Sequence, residues 1–274
     1  MEDTDNTAKK MQFEREFMNT RLEINIVGKT FNYAKSAAND AFNLVERIEN
    51  VLSMYIETSD VGLINSGKIG DRFKILDYTL ECLEIAAKVY QDTLGAVDVC
   101  MGQFFTNSKG QTKVENPTRL NLGIDATNYE VEKLSEGSLD FGSLGKGYAV
   151  DKIAELFKDV WGIDNALINF GSSTIFAIGK NENGEDWEIT FNGKDTGFRL
   201  KDSYALASSS LLAQATHIID PMSLNTPKGD NACYYAHLKG SAAYADALST
   251  AFLILSEDDI KEICQTLSVE YYKY

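Results

Sequence analysis

The sequence is poor in residues that break or cross-link a chain. Only three prolines occur among 274 residues, so no proline-rich linker divides the sequence into separate parts. The four cysteines form no C-x-x-C pair and lie in apolar surroundings, which favours buried thiols and disfavours a zinc site. These are Cys82, Cys100, Cys233 and Cys264. Because 44% of the residues are apolar, the chain can bury a full core as one continuous domain.

Basic residues are scarce relative to acidic ones. The sequence has 26 Lys and Arg against 41 Asp and Glu, which gives a formal net charge of −15. Such a charge repels a phosphate backbone, and no local cluster of Lys and Arg compensates for it, so we expect no nucleic-acid partner. A small polyanionic ligand would need a cation, or a ring of backbone N–H groups, between itself and so acidic a protein.

Long hydrophobic runs are lacking as well. The first stretch, MEDTDNTAKKMQFEREF, is charged and contains no apolar segment of the kind that a signal peptide needs. No later run reaches the length that spans a membrane. We therefore expect no membrane span, and the chain as written fits a cytoplasmic protein.

Apolar periodicity predicts a mixture of strands and helices. Alternating residues predict a first strand over 18–28, after an exposed leader over 1–16, and two buried strands over 165–179 that meet at a glycine corner. Apolar residues three and four apart predict the helices, which are expected over 36–53, 77–95, 147–162, from 245 onward and over 256–267. Because these elements follow no regular βαβ spacing, we expect an α+β fold, with mixed or antiparallel sheets and flanking helices in a compact domain over 17–274.

A glycine-rich turn lies within DFGSLGKGYAVDK, residues 140–152. A strand, a turn and a helix in this order present unpaired backbone N–H groups and the positive end of the helix dipole, which suit an anion. The glycine spacing, G-x-x-G-x-G, matches neither the dinucleotide fingerprint nor the P-loop. The residues alone leave two interpretations open, a phosphate cradle and a plain tight turn.

Three further stretches contain candidate site residues. THIIDP (216–221) places His217 beside an Asp-Pro turn, where a site residue and a structural histidine are both possible. YADALSTAFLILS places Asp246 and Thr250 on one face of a helix, where their oxygens suit Mg²⁺. Helix capping is the competing interpretation of that pair. TLGAVDVCMGQF (93–104) inserts Asp98 into an apolar run.

The order of these motifs along the chain resembles the ApbE family, flavin transferases that attach FMN to other proteins. The resemblance runs from about residue 17 to 256. Its segments are MNT (18–20), SMYIETSDVGLIN (53–65), GAVDVCMG (95–102), DFGSLGKGYAVDK (140–152), ALINFGSS (166–173), HIIDP (217–221) and ADALSTAF (245–252).

The resemblance implies a set of ligand contacts when the family's motifs are carried over residue by residue. The expected FAD contacts are Met18, Tyr55, Ala96, Val97, Asp98, Asp140, Lys146 and Ile219. The expected magnesium ligands are Ser143, Asp246, Ser249 and Thr250. His217 is expected close to the reacting phosphate, and His217 and Asp246 are the expected catalytic residues.

The function implied by the resemblance is a Mg²⁺-dependent transfer of FMN from FAD to a Ser or Thr hydroxyl of an acceptor protein, with release of AMP. FAD is then a consumed substrate. Two alternatives stay open: a Mg²⁺-dependent FAD pyrophosphatase that yields FMN and AMP, and a catalytically silent flavin-binding protein. The silent alternative is supported by Gly171-Ser172-Ser173, where the family has two glycines followed by Asp or Asn. Because many family members are exported and lipid-anchored, an exported lipoprotein with its leader removed is the alternative to a cytoplasmic location.

Overall fold

The computed structural model describes residues 9–108, 114–191, 194–211, 218–227 and 233–274, and within them the chain forms twelve strands and seven α-helices. The strands are β1 (Lys10–Phe17), β2 (Thr20–Val27), β3 (Arg72–Lys74), β4 (Leu122–Asp125), β5 (Glu130–Lys133), β6 (Ala166–Phe170), β7 (Thr174–Ile178), β8 (Trp187–Phe191), β9 (Lys194–Leu200), β10 (Tyr204–Ser210), β11 (Cys233–Lys239) and β12 (Glu270–Lys273). The helices are α1 (Phe31–Leu52), α2 (Asp60–Ser66), α3 (Asp77–Asp92), α4 (Gly102–Ser108), α5 (Gly145–Glu155), α6 (Ala242–Ala251) and α7 (Glu257–Leu267).

The main sheet has seven strands in the order β1-β2-β6-β7-β10-β11-β12. Every neighbouring pair in it is antiparallel. Helices α1, α5 and α6 pack against one face of this sheet, and α3 contacts α1 and α6 from outside. A small antiparallel sheet, β3-β5-β4, lies apart from the main one. The predicted α+β class, with antiparallel sheets and flanking helices, is confirmed.

Two apolar cores lie on opposite faces of the main sheet. The larger core contains the buried stripe of α1, in which Ala34, Ala37, Ala41, Val45 and Ile48 recur at helical spacing. The smaller core lies under the β8–β9 hairpin and is built by Val27, Ile175, Ala177, Trp187, Ile189, Phe198, Leu200 and Leu206. The hairpin thus covers the sheet face that the helices leave free.

The amino-terminal region differs from the expected exposed leader over 1–16. Residues Lys10–Phe17 form an edge strand that pairs with β2 along its whole length. Met11 and Phe17 are buried in the larger core, and their alternation with polar residues in KMQFEREF is the strand signal that the high charge of this segment obscured. The expected strand over 18–28 corresponds to β2, which begins only after the turn at Met18 and Asn19.

Other elements also differ from their predicted bounds. The helix expected over 147–162 ends at Glu155 and continues as a π-helical turn over Leu156–Val160. Residues Asp60–Ser66, where no helix was predicted, form the short helix α2, whose amino end is capped by Ser59. Helix α6 begins at Ala242, so Asp246 lies in its second turn. No helix among the described residues is both long enough and apolar enough to cross a membrane.

Candidate active site

Two clefts adjoin each other at the glycine-rich turn. The inner cleft has a volume of about 340 Å³ and lies between this turn, α6 and the end of β10. The entry cleft has a volume of about 280 Å³ and lies between the turn, the β1–β2 hairpin and the end of α1. Asp140, Gly142 and Lys146 line both clefts. The turn is therefore the common wall of one bipartite depression.

The glycine-rich turn is ordered by its own backbone and by Asp140. The Asp140 carboxylate is buried and accepts a hydrogen bond from the Gly142 N–H at 2.8 Å, which closes the turn. Helix α5 begins at Gly145, and Leu144 in the capping position offers no side-chain acceptor to its first amides. Its amino end thus depends on acceptors from elsewhere in the chain or from a ligand.

Asp246 supplies one such acceptor from α6. Its carboxylate, only 3% exposed, accepts a hydrogen bond from the Gly147 N–H at 3.2 Å. The Lys146 ammonium lies 3.1 Å from the same oxygen. Asp246 therefore places a buried negative charge at the positive end of α5, where the helix dipole stabilises it.

The capping interpretation of Asp246 is wrong for its own helix. The side chain of Ser241 caps α6 by accepting from the Tyr244 N–H. The amides of Ala242 and Ala243 donate to the carboxylate of Asp151, at 2.6 and 3.0 Å. Because the amino end of α6 is satisfied by these two residues, Asp246 is free to face the inner cleft.

Three hydroxyl groups lie together behind Asp246. Ser249 and Thr250 donate to the Asp246 carbonyl oxygen, at 2.8 and 3.3 Å. The hydroxyl of Ser209 on β10 lies 2.8 Å from that of Ser249 and 3.2 Å from that of Thr250. Ser249 is fully buried, whereas Thr250 lines the inner cleft with Asp246 and Ser143. The predicted ligand role of Ser249 stays a prediction.

The donors at the inner cleft fit Mg²⁺. Among the described residues, no three His, Cys, Asp or Glu side chains are grouped so that they could hold a metal ion. Three carboxylates line the cleft, from Asp98, Asp140 and Asp246, and Asp246 lies there with the hydroxyls of Ser143 and Thr250. Mg²⁺ binds through one or two carboxylates and completes its shell with water and substrate phosphates. A hard oxygen set of this kind suits a magnesium ion that is shared with a phosphorylated ligand.

The segment over 96–98 also lines the inner cleft. The Asp98 carboxylate is buried, accepts from the Cys100 N–H at 2.9 Å and is paired with Arg119. Burial raises the pKa of the neighbouring Cys100 thiol to about 12, so it stays protonated at neutral pH. Cys100 is thereby excluded as a thiolate nucleophile.

The entry cleft is built around the β1–β2 hairpin. Met18 and Asn19 both adopt left-handed backbone angles, with φ of 48° and 58°, as the tight turn between paired strands requires. The Met18 N–H donates to Glu49 on α1 at 3.0 Å. Tyr55 lies across the cleft with about half of its surface exposed. An aromatic ring at such a rim suits a planar ligand.

The structure brings together nearly all of the residues singled out in the sequence. Met18 and Tyr55 line the entry cleft, and Asp140 and Lys146 line both clefts. The others that line the inner cleft are Ala96, Val97, Asp98, Ser143, Ile219, Asp246 and Thr250. His217 lies outside the described residues. The ligand contacts and roles of all these residues stay predictions.

Three residues of the site were missed in the sequence. Ser209 contacts both hydroxyls of α6, Glu49 holds the Met18 amide, and Asp151 secures the amino end of α6. Burial raises the pKa of Asp151 to about 6, although the hydrogen bonds that its carboxylate accepts lower this pKa. Asp151 lies within a motif that the sequence analysis quoted, but its partner helix is 91 residues away along the chain. Periodicity carries no signal for such a contact.

The sequence is similar to those of known proteins over most of its length. The model of the ApbE family matches residues 18–272. Two curated relatives are named FAD:protein FMN transferase. The one from Vibrio cholerae is 24% identical over 253 residues, with 82% of this chain and 75% of the relative covered. The one from Haemophilus influenzae is 24% identical over 263 residues, with 84% and 75% covered.

Solved structures show the same fold. The flavin transferase ApbE from Vibrio cholerae superposes with a TM-score of 0.82 at 20% identity, over 97% of each chain. The apo form of the flavinyl transferase ApbE from Pseudomonas stutzeri superposes with a TM-score of 0.80 at 20% identity, over 97% of this chain and 93% of the other. At these identities the likeness concerns the path of the backbone.

Proposed function

Since the chain belongs to the ApbE family, we propose that it is an FAD:protein FMN transferase, which moves FMN from FAD to a Ser or Thr hydroxyl of an acceptor protein and releases AMP. The family expected from the sequence motifs is confirmed. The names of the two curated relatives agree with the expected enzyme class. The acceptor, the metal and the residue roles are part of the proposal.

The observation that carries the proposal is the junction of the two clefts at the amino end of α5. A dinucleotide has two ring systems separated by a diphosphate, so it needs two recesses with an anion site between them. The entry cleft and the inner cleft, of about 280 and 340 Å³, adjoin at the glycine-rich turn. The turn, the start of α5 and the Lys146 ammonium there suit the diphosphate.

Asp246, Thr250 and Ser143 would hold the magnesium ion, with Ser249 as a further predicted ligand. When bound, Mg²⁺ polarises the phosphoryl oxygens and neutralises charge on the departing AMP. Asp246 would also keep the Lys146 ammonium directed at the same place, because the two side chains already form an ion pair at 3.1 Å. The cation and the lysine together offset the strongly negative charge of the protein.

In the proposed reaction, the acceptor hydroxyl oxygen forms a bond to the phosphorus on the FMN side of FAD. The bond from that phosphorus to the bridging oxygen breaks, and AMP departs with the electron pair. The hydroxyl proton passes to a base, for which His217 and an aspartate are the two candidates. The main contributions of the protein are to position the reactants and to stabilise charge with groups fixed in advance.

The test uses the purified protein with FAD, Mg²⁺ and a candidate acceptor protein. Transfer predicts flavin fluorescence that stays on the acceptor in a denaturing gel, together with one AMP released for each flavin attached. Free FMN and AMP without labelled acceptor would instead indicate the pyrophosphatase. Tight FAD binding with no AMP release would indicate the silent flavin-binding protein. The variant Asp246→Asn serves as the matched control.

A further inference from the structure

The end of β10 has a backbone edge that no described strand covers. The pairing of β10 with β7 ends where Ala207 faces Thr174, and the Ser208 N–H then donates to Ser173 O at 2.7 Å. Pairing with β11 on the other side continues as far as Ser210. The polar backbone groups of alternate residues in a strand point to the same side. The N–H and C=O of Ser210 therefore point toward the β7 side of the strand, at a level that lies beyond Thr174, the first residue of β7.

This edge separates two cavities. Ser208 and Ser210 line both the inner cleft and a third cavity of about 300 Å³, the far pocket, which also contains Ile175 and Phe198. Side chains of β10 alternate between the two faces of the sheet. Ser209 points to α6, where it contacts Thr250, and Leu206 belongs to the core under the β8–β9 hairpin. One face of the edge is thus next to the candidate reaction site.

We propose that the acceptor protein docks by adding an extended segment to the edge of β10 at Ser210. This inference rests on the proposed transferase function and specifies how its protein substrate is recognised. Backbone hydrogen bonds to Ser210 would fix the register of the segment, as in other cases of strand addition. One side chain of the segment would point to the inner cleft, and its two neighbours would point to the far pocket.

The position of the edge favours the acceptor over other occupants. Apart from FAD and its metal ion, the molecule whose hydroxyl attacks the phosphorus has to reach the neighbourhood of Asp246 and Thr250, and Ser209 beside this edge contacts Thr250 directly. The bordering side chains of β10 are the uncharged Ser208, Ser209 and Ser210. Recognition through the backbone needs no complementary charge, so it suits an acceptor of any net charge.

The far pocket explains how such docking could select a sequence. Its described walls combine the apolar side chains of Ile175, Phe198 and Leu206 with the Thr196 hydroxyl, which is already bonded to Ile189 O at 2.6 Å. A side chain next to the reactive Ser or Thr would enter this pocket. We expect small or medium-sized uncharged residues there, because a charge that is buried without a partner is strongly unfavourable.

The first test uses synthetic peptides and the wild-type protein. An array of short peptides, each with a single Ser or Thr in varied surroundings, is incubated with the protein, FAD and Mg²⁺ and read by flavin fluorescence. A labelled peptide is then resynthesised with one backbone N-methyl group at each position in turn. Strand addition at Ser210 predicts that labelling falls by about tenfold or more at the one position whose N–H donates to the Ser210 carbonyl oxygen, and that the positions on either side tolerate the methyl group.

The second test changes the edge of the protein. Ser210→Pro removes the outward N–H, and its ring also covers the edge, whereas Ser210→Ala removes only the hydroxyl. We expect peptide labelling by Ser210→Pro to be about tenfold lower than by Ser210→Ala, a loss larger than any change in FAD affinity. If the proline variant does not fold, the N-methyl series with the wild-type protein decides the question.

The outcomes separate this inference from the proposed function. Equal labelling by the two Ser210 variants, or N-methyl effects that are not confined to one position with tolerant neighbours, would overturn docking by strand addition. So would FAD turnover to AMP with no labelled peptide in the array, because an extended segment would then not suffice for docking. Absence of both FAD binding and AMP release in the wild-type protein would instead overturn the transferase function itself.

Discussion

Asp151 and Asp246 lie on two packed helices, and each carboxylate accepts hydrogen bonds from the amino end of the other helix. Asp246 of α6 accepts from Gly147 of α5, and Asp151 of α5 accepts from Ala242 and Ala243 of α6. The positive amino end of each helix is thus stabilised by a carboxylate from the partner helix. Because the glycine-rich turn leads into α5, this exchange fixes the distance between the turn and Asp246.

The first prediction concerns the charge of Asp246. Asp246→Asn keeps an oxygen that can accept from Gly147 but removes the negative charge that faces Lys146. We expect AMP release and flavin transfer to fall by about 10²-fold or more, as for other fixed electrostatic groups in active sites. Thermal unfolding checks that the fold is kept. Transfer at the wild-type rate would contradict the assignment of Asp246 to the site.

The second prediction concerns the pH dependence of stability due to Asp151. Burial raises the pKa of this carboxyl from 3.8 to about 6 in the folded protein. The unfolded chain therefore loses this proton first as the pH rises, and the group's contribution to the free energy of unfolding decreases between about pH 4 and pH 6. The decrease is about 3 kcal/mol at most.

Asp151→Asn provides the comparison, because the amide does not titrate. Urea unfolding of both proteins from pH 4 to pH 7 measures the difference in their free energies of unfolding. We expect the wild-type protein to lose stability relative to the variant as the pH rises to about 6, and the difference to level off above it. A difference that grows with pH over this interval would show that the pKa of Asp151 is lowered instead.

The third prediction concerns the close approach of α5 and α6. A Cβ atom added at Gly147 would lie 2.3 Å from Ala242 O and 2.5 Å from the Cα of Ala243, both backbone atoms that cannot turn away. Gly147→Ala should destabilise the fold by about 1–3 kcal/mol. Gly145→Ala is the matched control, since its new Cβ meets only Phe141 at 3.9 Å. Equal stability of the two variants in chemical unfolding would contradict the packing described.

The fourth prediction concerns Ser172 in the β6–β7 turn. Its backbone is left-handed, with φ of 55°, and its N–H donates to Asn169 at 3.1 Å. Ser172→Gly should stabilise the fold by up to about 1 kcal/mol, because glycine adopts this conformation without strain. We expect flavin transfer by the wild-type protein as well as by the variant. Transfer by the glycine variant alone would favour the silent flavin-binding alternative for the natural sequence.

The sequence predicted those parts of the fold that have strong periodicity. The apolar stripes of α1 and α7 are local features, and both predicted helices are confirmed. The edge strand β1 was missed because charged residues outnumber its buried Met11 and Phe17. The charged residues lie on the exposed face of this edge strand. They make the alternation of apolar residues on its buried face hard to recognise in the sequence.

The motifs that form the candidate site were predictable from the sequence, but the contacts between distant segments of the chain were not. The motifs around Asp98, Asp140 and Asp246 were all identified, and they line one cleft. The contact of Ser209 with Thr250 spans 41 residues and joins a strand to a helix. The arrangement of β10 between two cavities depends on where β7 begins, at Thr174, which only the sheet register reveals.

The most direct test of the central claim is a crystal structure of the protein with FAD and Mg²⁺. We predict a diphosphate at the glycine-rich turn between the entry cleft and the inner cleft, and a magnesium ion about 2.0–2.1 Å from a carboxylate oxygen of Asp246. A flavin nucleotide bound elsewhere, or an Asp246 that keeps only its contacts with Lys146 and Gly147 while the nucleotide is bound, would contradict it.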